Sequence, residues 1–468
     1  MSTIQYAGQF EIEVCDLITS SGEIADLTKS LIEVNIFEDI YSSALKGSVI
    51  IADTNNMIRN LQILGQDYIR LKVRTPGFED DKCFDFSENV FAVYKIGTRA
   101  EPTSRSEIFE LSFVSVEALT NVRKRISKSL TGSPSEIFEQ LMKGDYSINT
   151  KKKLYIEKSS GIRKYVVPNN NPFKFIESLM QEAVSSNTQS PFYLFFENVR
   201  GYHFRTLQSL YNEETKQDFN TGELGELEDR GSKVGDIEKQ YRTVIADEQT
   251  GTNDMFKNIV SGLIANKLRT LDIHNKRIET KDHNYFDNFN KFNHINGDIN
   301  KDNPIYSDAP IEEDGSRISD YPNSKVYLHP YQVDDTTGGD PLHYNKTTES
   351  YSYTPPTNKE SIQFMMGKMI ELATAGSMNL KVNGHTGLAC GDTITYTKPD
   401  AHAKENGFID ELDSGKFLIT AARHIFSKID QRHQIVMTCN RDSHPYSKRK
   451  DSSIVIPRSV PQGKFIVE

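Results

Sequence analysis

The sequence predicts an α+β, β-rich fold, and its 468 residues are enough for two to four domains. Two regions, 1–118 and 377–445, alternate apolar and polar residues with the period of β-strands. Phe and Tyr supply all the aromatic residues, 10% of the chain, and together with β-branched neighbours they favour strands. The clearest helix signals lie between these two regions, so a helix-containing unit is predicted to separate them.

Residues 1–118 are predicted to be mostly strands. Three segments place apolar side chains on one face and charged or polar ones on the other: 10–14, 32–36 and 69–73. A more buried strand is predicted at 47–51. One helix interrupts the strands, with Thr54 as its N-cap and Gly65 as its end.

Residues 119–210 are predicted to form an α/β insert of two helices and a hairpin. Ser133 and Glu136 match a capping box before the first helix. An Asn-Pro pair at 171–172 begins the second helix. The hairpin is predicted from two aromatic-rich segments: 191–196 and 202–207.

Residues 211–376 alternate between polar stretches and stretches with the apolar periodicity of helices or strands. The acidic stretch 211–250 contains several glycines and is predicted to be a linker. A helical pattern follows at 252–271. Residues 295–358 are rich in Asn, Asp, Gly, Pro, Ser and Thr, which predicts a long surface loop. A strand within this loop and a helix after it are also predicted: 325–331 and 362–373.

The best-patterned stretch is 377–445, which predicts a small antiparallel barrel or sandwich. Asn383 and Gly384 predict a tight turn, and a long polar loop spans 398–414. The extended C-terminal tail, 446–468, either adds a strand to a partner's sheet or frays. Four strands are predicted before the tail: 378–382, 393–396, 416–426 and 433–438.

Charge, cysteine content and hydropathy argue against several classes of protein. The net charge of −10 argues against a general nucleic-acid binder, because such proteins neutralise phosphates with Lys and Arg. The four cysteines are far apart in sequence, so neither a disulfide framework nor a zinc site is predicted. The N-terminus does not resemble a signal peptide, and no apolar run is long enough to span a membrane. Assembly in a cytoplasm is therefore expected.

The search for chemical motifs identifies no catalytic, cofactor-binding or metal-binding residue. The sequence contains neither a nucleophile elbow, nor a phosphate-binding loop, nor a zinc-protease motif. Asp298, Asn300 and Asp302 match the start of a calcium loop. The sixth position lacks Gly, however, and Ala309 stands where the final Glu is needed. A solvated loop is the better interpretation.

Four histidines and one aspartate are further candidates for site residues. His274, His283 and His294 lack the spacing of metal ligands and are predicted to be surface or hydrogen-bonded residues. His424 lies beside an apolar strand and is predicted to be a packed histidine bonded to the backbone. Asp392 is predicted at a turn after Gly391, accepting backbone N–H groups.

The order of elements in 377–445 resembles the closing barrel of baseplate hub proteins, the central part of contractile phage tails. It is also similar to the N-terminal hub module of the type VI secretion spike protein. Segments 45–53 and 65–71 resemble the first tube-like barrel of the same family. The C-terminal residues that carry the resemblance are Gly384, Gly391, Asp392, Gly415, Phe417, Ile419, Thr420 and His424.

The resemblance implies two tube-like antiparallel β-barrels with an α/β insert and long surface loops. The first barrel would span 1–118, the second would start within 251–376, and 377–445 would close it. It also implies a homotrimer whose six similar barrels join the six-fold tail tube to the three-fold central spike. The implied partners are the tail tube, central spike, baseplate wedge and tape measure proteins. The expected location is the tail baseplate of a virion, where DNA passes through the lumen without specific binding.

Three alternatives remain from the sequence. A tail-associated cell-wall hydrolase would need a pair of catalytic side chains in a cleft, which sequence alone does not reveal. A host-binding adhesin would fit the polar loop 295–358. A type VI spike component is the third, although no glycine-repeat needle follows residue 445.

Overall fold

A computed structural model provides the fold of this chain. It describes the following residues: 4–54, 56–77, 83–103, 106–188, 190–221, 233–250, 255–272, 276–291, 293–296, 315–331, 344–345, 350–351, 377–399, 409–410 and 413–443. The predicted helix at 362–373, the tail 446–468 and most of loop 295–358 lie outside the described residues.

The first part of the chain supplies seven strands of one large antiparallel sheet. Apolar residues of β5 point into the core, while its basic residues pair with acidic residues of β1 on the other face. The predicted alternation over 69–73 is therefore confirmed. The strands are β1 (Glu11–Ile18), β2 (Ile24–Asp26), β3 (Leu31–Asp39), β4 (Lys46–Asp53), β5 (Tyr68–Arg74), β6 (Phe84–Thr103) and β7 (Ser106–Ser115).

The short helix α1 (Met57–Asn60) interrupts these strands. The prediction that Thr54 caps it is wrong. Asn56 occupies the N-cap position with a left-handed backbone, φ 60°, and its side chain makes no capping bond. Asn tolerates this conformation better than most residues, which explains its place here.

The insert contains two small sheets and four helices. The capping box on Ser133 is confirmed, and the predicted second helix and hairpin are present. In β11, Phe196 packs against the C-terminal core and Phe195 against the insert's own core. The elements are α2 (Val116–Arg123), β8 (Ile126–Gly132), α3 (Pro134–Lys143), β9 (Leu154–Ile156), β10 (Arg163–Asn170), α4 (Pro172–Glu182), β11 (Tyr193–Asn198), β12 (Gly201–Thr206) and α5 (Leu207–Tyr211).

The prediction that 211–250 is a linker without secondary structure is wrong. Its described residues contain β13 (Thr215–Asn220), α6 (Lys233–Arg242) and β14 (Val244–Gln249). Most residues of β14 are exposed, so this strand lacks the apolar alternation by which strands are usually predicted.

A small three-stranded sheet follows. The helical pattern predicted over 252–271 is correct only as far as α7 (Met255–Ser261), after which the chain becomes β15 (Ala265–Asp272). The strand predicted near 325–331 is confirmed as β17 (Val326–Tyr331), which pairs with β15 in parallel. The remaining elements here are β16 (Arg277–Asn284), α8 (Tyr285–Phe289), two 3-10 turns (Ile318–Asp320, Pro322–Ser324), β18 (Tyr344–Asn345) and β19 (Ser350–Tyr351).

The closing strands are β20 (Met378–Asn383), β21 (Thr393–Thr397), β22 (Gly415–Ser427) and β23 (Arg432–Asn440). The first part of β22 pairs with β21, and its second part pairs with β3. As a result, the N-terminal and C-terminal parts of the described chain contribute to one sheet of 13 strands, eleven of which lie in the order β14-β20-β23-β22-β3-β4-β7-β6-β5-β1-β2, while β21 pairs with β22 off this path. The strand β13 extends it by pairing with β21 in parallel.

Two large apolar cores lie along this sheet. The N-terminal core takes almost all of its residues from β1 and β3–β7, but it also contains Phe426 of β22. The C-terminal core surrounds β20–β23 and also contains Ile40, just after β3. The insert and the small sheet of β15–β17 have cores of their own. The chain is thus a β-rich α+β protein with a large, mainly antiparallel sheet.

Candidate functional site: a buried junction of three chain segments

Glu38 lies where three distant segments of the chain meet: β3, the turn between β11 and β12, and the loop before β21. Its side chain is only 2% exposed. Oε1 accepts a hydrogen bond from the Val199 N–H at 2.6 Å, and Oε2 accepts one from the Cys390 N–H at 2.7 Å. A single carboxylate therefore joins the main sheet to the insert and to the closing loop.

His424 extends this contact into β22 and β23. Its Nε2 lies 3.3 Å from Glu38 Oε2, and its Nδ1 lies 3.2 Å from His433 Nε2. Burial, together with the neighbouring His424, holds the pKa of His433 well below its usual value, so that His433 is neutral. The prediction that His424 is packed is confirmed. The prediction that it bonds to the backbone is wrong, because its described partners are side chains.

Asp392 forms the second part of the junction. Both of its oxygens pair with Arg200 at 2.6 Å, and Oδ2 also accepts the Ala389 N–H at 2.9 Å. Arg200 in turn donates to the Gly387 carbonyl at 2.7 Å. Burial raises the pKa of Asp392, and the Arg200 guanidinium opposes that rise. As predicted, Asp392 lies at a turn and accepts a backbone N–H, although the donor precedes Gly391.

Lys152 forms a third buried contact, between the insert and the first part of the chain. Its Nζ lies 2.7 Å from Glu117 Oε2 and 2.6 Å from Glu197 Oε1. The other oxygen of Glu197 accepts the Leu45 N–H at 2.8 Å. Burial opposes the charge on Lys152, but the two glutamates outweigh it and raise the Lys152 pKa.

Two glycines of the closing strands are fixed by close packing at the junction. A Cβ at Gly384 would lie 2.7 Å from two atoms of the His433 ring, so a larger residue does not fit there. Gly391 has φ +90°, a conformation that L side chains rarely adopt. Both belong to the set of residues on which the sequence resemblance rests.

The other predicted histidines have structural partners. His294 lies 2.8 Å from Asp442 through Nδ1 and 2.7 Å from the Phe289 carbonyl through Nε2, and it stacks on the Phe289 ring. Asn288 Nδ2 lies 3.3 Å from His283 Nδ1, and burial lowers the pKa of His283 to about 4. These two histidines are satisfied, as predicted. His274 and the calcium-like residues Asp298, Asn300 and Asp302 lie outside the described residues.

The contacts of the junction connect segments that are distant in sequence. Its carboxylates Glu38, Asp392, Glu117 and Glu197 all face N–H groups or cationic side chains. Within the described part of the chain, no group of three or more His, Cys, Asp or Glu residues is placed to hold a metal ion. Nor does any described helix combine the length and apolar character that crossing a bilayer requires.

Sequence reasoning found Asp392 and His424 but missed Glu38, Arg200 and Lys152. Arg200 is 192 positions away from Asp392, and Glu38 is 386 positions away from His424. No local pattern marks such distant pairs. The Gly-Asp turn at 391–392 was the one local signal of a buried carboxylate.

No family model and no curated protein sequence matches this chain. Among solved structures, a tail protein from Neisseria meningitidis MC58 is 9% identical, covering 93% of this chain and 97% of its own, with a TM-score of 0.47. The 43 kDa tail protein of prophage MuSo2 from Shewanella oneidensis is 9% identical, covering 92% of this chain and 98% of its own, with a TM-score of 0.49.

A third similar structure is an E. coli protein described as a component of the type VI secretion system. It is 8% identical and covers 95% of this chain and 79% of its own, with a TM-score of 0.40. The structural neighbours are thus phage tail proteins and type VI secretion proteins, the same two groups that the sequence resembles. At identities of 8–9%, the functions of these proteins do not transfer to this chain.

Proposed function

We propose that this chain is a structural subunit of the baseplate hub of a contractile tail. Three copies would form a ring that joins the six-fold tail tube to the three-fold central spike. The observation that carries the proposal is the pairing of β3 with β22, which places two strand-rich units side by side in each chain. Two such units in each of three chains give six units around a ring, which suits a junction between six-fold and three-fold parts.

In this proposal, each unit is a tube-like barrel. The first would comprise 1–118. The second would comprise β13 and β14 with the strands of 377–445, because these pair with one another, whereas the described strands of 265–331 form a separate sheet; 119–210 would be the insert beside them. The two large cores support two units: all of the N-terminal core except Phe426 lies within 15–113, and the C-terminal core is shared by the closing strands and the insert. The buried junction would then hold the two barrels and the insert at a fixed angle, which a ring requires.

The ends of the main sheet support a ring as well. Among the described strands, β14 pairs only with β20 and β2 pairs only with β1, so the path of the sheet ends there. Ile245 on β14 and Ile24 on β2 are exposed. Unpaired edges with apolar side chains favour association, and a closed ring of copies covers them.

The lumen of the ring is proposed to be neutral or acidic. The chain carries a net charge of −10, and like charge prevents DNA from adhering to a passage through which it must slide. The tail tube, spike, wedge and tape measure proteins are the proposed partners in the virion. A mapped lumen that is strongly positive would contradict this part of the proposal.

Light scattering on the purified full chain tests the proposal. The expected mass is three times 53.1 kDa, with co-elution of the tail tube and spike proteins when these are added. Ile24→Lys combined with Ile245→Lys is expected to shift the mass towards a monomer, because charge on an edge strand opposes pairing. Ile429→Lys, an equally drastic change at another exposed isoleucine, is the matched control and should stay trimeric. A monodisperse monomer that binds neither partner would overturn the proposal.

A further inference from the structure

A cavity of about 550 Å³ lies beside the buried junction. It is enclosed by the start of β6, by the β11–β12 hairpin and by the closing loop around 386–392. Its volume is within the range of small-molecule sites, roughly 300–1,000 Å³. Three parts of the chain that are distant in sequence thus surround a space large enough for a compact organic molecule.

His203, on β12, lines this cavity and is 5% exposed. Its ring is stacked between Tyr155 and Phe196, with centroid distances of 4.5 and 4.6 Å and nearly parallel planes. Neither ring nitrogen has a hydrogen-bond partner among the described residues. Buried polar atoms are normally hydrogen-bonded, so two unpartnered nitrogens beside a cavity point to a group that enters it.

The charge state of His203 determines which hydrogen bonds its ring can form. Burial, followed by the charges of Arg205 and Arg200, lowers the pKa of His203 to about 3. The ring is therefore neutral near pH 7 and presents one N–H donor and one lone pair. A hydroxyl or carboxylate of a ligand would satisfy whichever of the two nitrogens it reaches, the first as donor or acceptor and the second as acceptor.

The charged side chains around the cavity leave an excess of positive charge. Arg200 pairs with Asp392 and Arg205 pairs with Glu213, so both arginines are neutralised. A third carboxylate of the lining, Asp85, lies 3.5 Å from Lys72, which is outside the lining and also pairs with Glu13 at 3.0 Å, so the lining itself holds four cations against three carboxylates.

Two lysines of the lining, Lys153 and Lys216, form no ion pair among the described residues. The Lys153 ammonium lies 4.7 Å from the centre of the Tyr155 ring, and both lysines are exposed to solvent. A solute can therefore reach them. In a chain with a net charge of −10, this local excess of cations is the opposite of the overall balance.

We propose that this cavity binds a small organic anion that carries carboxylate or phosphate groups. Lys153 and Lys216 would neutralise its charge, and His203 would hydrogen-bond to its inner end. Binding would bridge the first sheet, the insert and the closing loop, and so would stabilise the junction. The inference does not depend on the hub proposal, because the cavity lies within a single copy of the chain.

Isothermal titration calorimetry of the full-length protein at low salt tests this site. Citrate and inorganic phosphate are the two probes. Citrate carries carboxylates and a hydroxyl, whereas phosphate carries neither carbon nor carboxylate, so the pair shows which group is recognised. Saturable binding of either probe at one site per chain is expected. Replacing both lysines, Lys153→Gln with Lys216→Gln, should weaken that binding at least about tenfold, the loss of one charge-assisted contact. Both side chains are exposed, so the folded state should tolerate the change.

Two further variants sharpen the test. His203→Phe keeps the aromatic stack and removes both ring nitrogens, and it should also weaken binding about tenfold. Lys151→Gln changes an exposed lysine near Lys153 that does not line the cavity, and it should leave binding unchanged. In the wild type, the ring 15N resonances of His203 should shift on addition of the probe that binds. The proposal is overturned if neither probe binds saturably, or if the double lysine variant binds as the Lys151→Gln control does.

Discussion

The two halves of the main sheet, an N-terminal half of β1–β7 and a C-terminal half of β13, β14 and β20–β23, are assembled from different kinds of strand pairing. In the N-terminal half, all pairings except that of β3 with β22 join strands within 11–115, as β3 with β4 and β1 with β5, and all but one of the core residues lie within 15–113. The C-terminal half instead recruits β13 and β14 from 215–249 to pair with strands beyond residue 377. Its core also includes Ile40 and Ile295.

The junction between the halves differs in chemistry as well. The N-terminal core is apolar, and its charged residues pair across the solvent-facing side of β1 and β5. At the junction, in contrast, the charged groups of Glu38, Asp392 and Lys152 are buried, although Arg200, the partner of Asp392, is 32% exposed. Apolar burial is not directional, whereas an unpaired buried charge is strongly unfavourable. We infer that the buried charges select which distant segments meet, while local hairpins organise the N-terminal half.

The largest effect is expected at Lys152. Lys152→Met leaves Glu117 and Glu197 buried without their cation, which should lower the free energy of unfolding by about 3–5 kcal/mol. Urea denaturation monitored by circular dichroism measures this change. Adding Glu117→Gln and Glu197→Gln to Lys152→Met should recover part of the loss, because no charge then remains unpaired.

The matched surface control for Lys152 is the exposed pair of Arg242 and Glu238 on α6. Arg242→Met should change stability by less than about 1 kcal/mol, since exposed pairs contribute little. If Lys152→Met costs no more than Arg242→Met, the proposed difference between junction and surface charges is wrong.

A somewhat smaller effect is expected at Glu38. Glu38→Gln keeps the size of the side chain but replaces a carboxylate that accepts two backbone N–H groups, so a loss of about 2–3 kcal/mol is expected. Glu13→Gln, on the solvent-facing side of β1, removes ion pairs with Lys72 and Arg74 that are partly exposed, and it should cost about 0–1 kcal/mol. Equal losses for the two substitutions, measured by the same denaturation, would contradict the comparison.

The smallest effect is a pH dependence that comes from His203. Its folded pKa of about 3 lies below the ordinary value of 6.5, so the unfolded chain takes up a proton first as the pH falls. The contribution of His203 to the free energy of unfolding is therefore fully present well above pH 6.5. Below that pH it decreases by about 1.4 kcal/mol per pH unit.

The wild type should consequently lose about 1.4 kcal/mol more than His203→Phe between pH 7.5 and pH 5.5. Urea denaturation of both proteins at the two pH values measures this difference, and the shared contributions of His283 and His433 cancel. Identical losses in the two proteins would show that His203 is not buried as a neutral group.

Local structure was predictable where the signal lies in neighbouring residues. The capping box on Ser133, the helix after Asn171 and the apolar alternation in β5 were all found from short patterns. The strand β14 was missed because most of its residues are exposed at the edge of the sheet. The segment after Ser261 was predicted as helix because Leu263 and Ile264 continue the helical spacing of 255–260, whereas the buried face of β15 includes the polar residues Asn266 and Thr270 and gives no apolar alternation.

The candidate site was much less predictable than the fold. Asp392 could be placed at a turn from its own neighbours, but its partner Arg200 could not be found without the tertiary structure. The pairing of β3 with β22 likewise joins residues almost 400 positions apart, and the cost of closing such a loop grows only slowly with its length. A large sequence separation therefore does not exclude that two strands pair, and this pairing carries no local signal.

Disulfide trapping tests most directly the central claim that the N-terminal and C-terminal parts of the described chain share one sheet. Phe37 on β3 and Arg423 on β22 are register partners with exposed side chains, and the guanidinium lies 5.5 Å from the ring centre. Opposed residues of antiparallel strands have Cα atoms about 4.5–5.5 Å apart, a separation that a disulfide can bridge. Phe37→Cys with Arg423→Cys should form a disulfide in the folded protein, identified by peptide mapping. Phe37→Cys with Ile429→Cys, which are not register partners, should form none. Failure of the first pair to link under oxidising conditions would contradict the account.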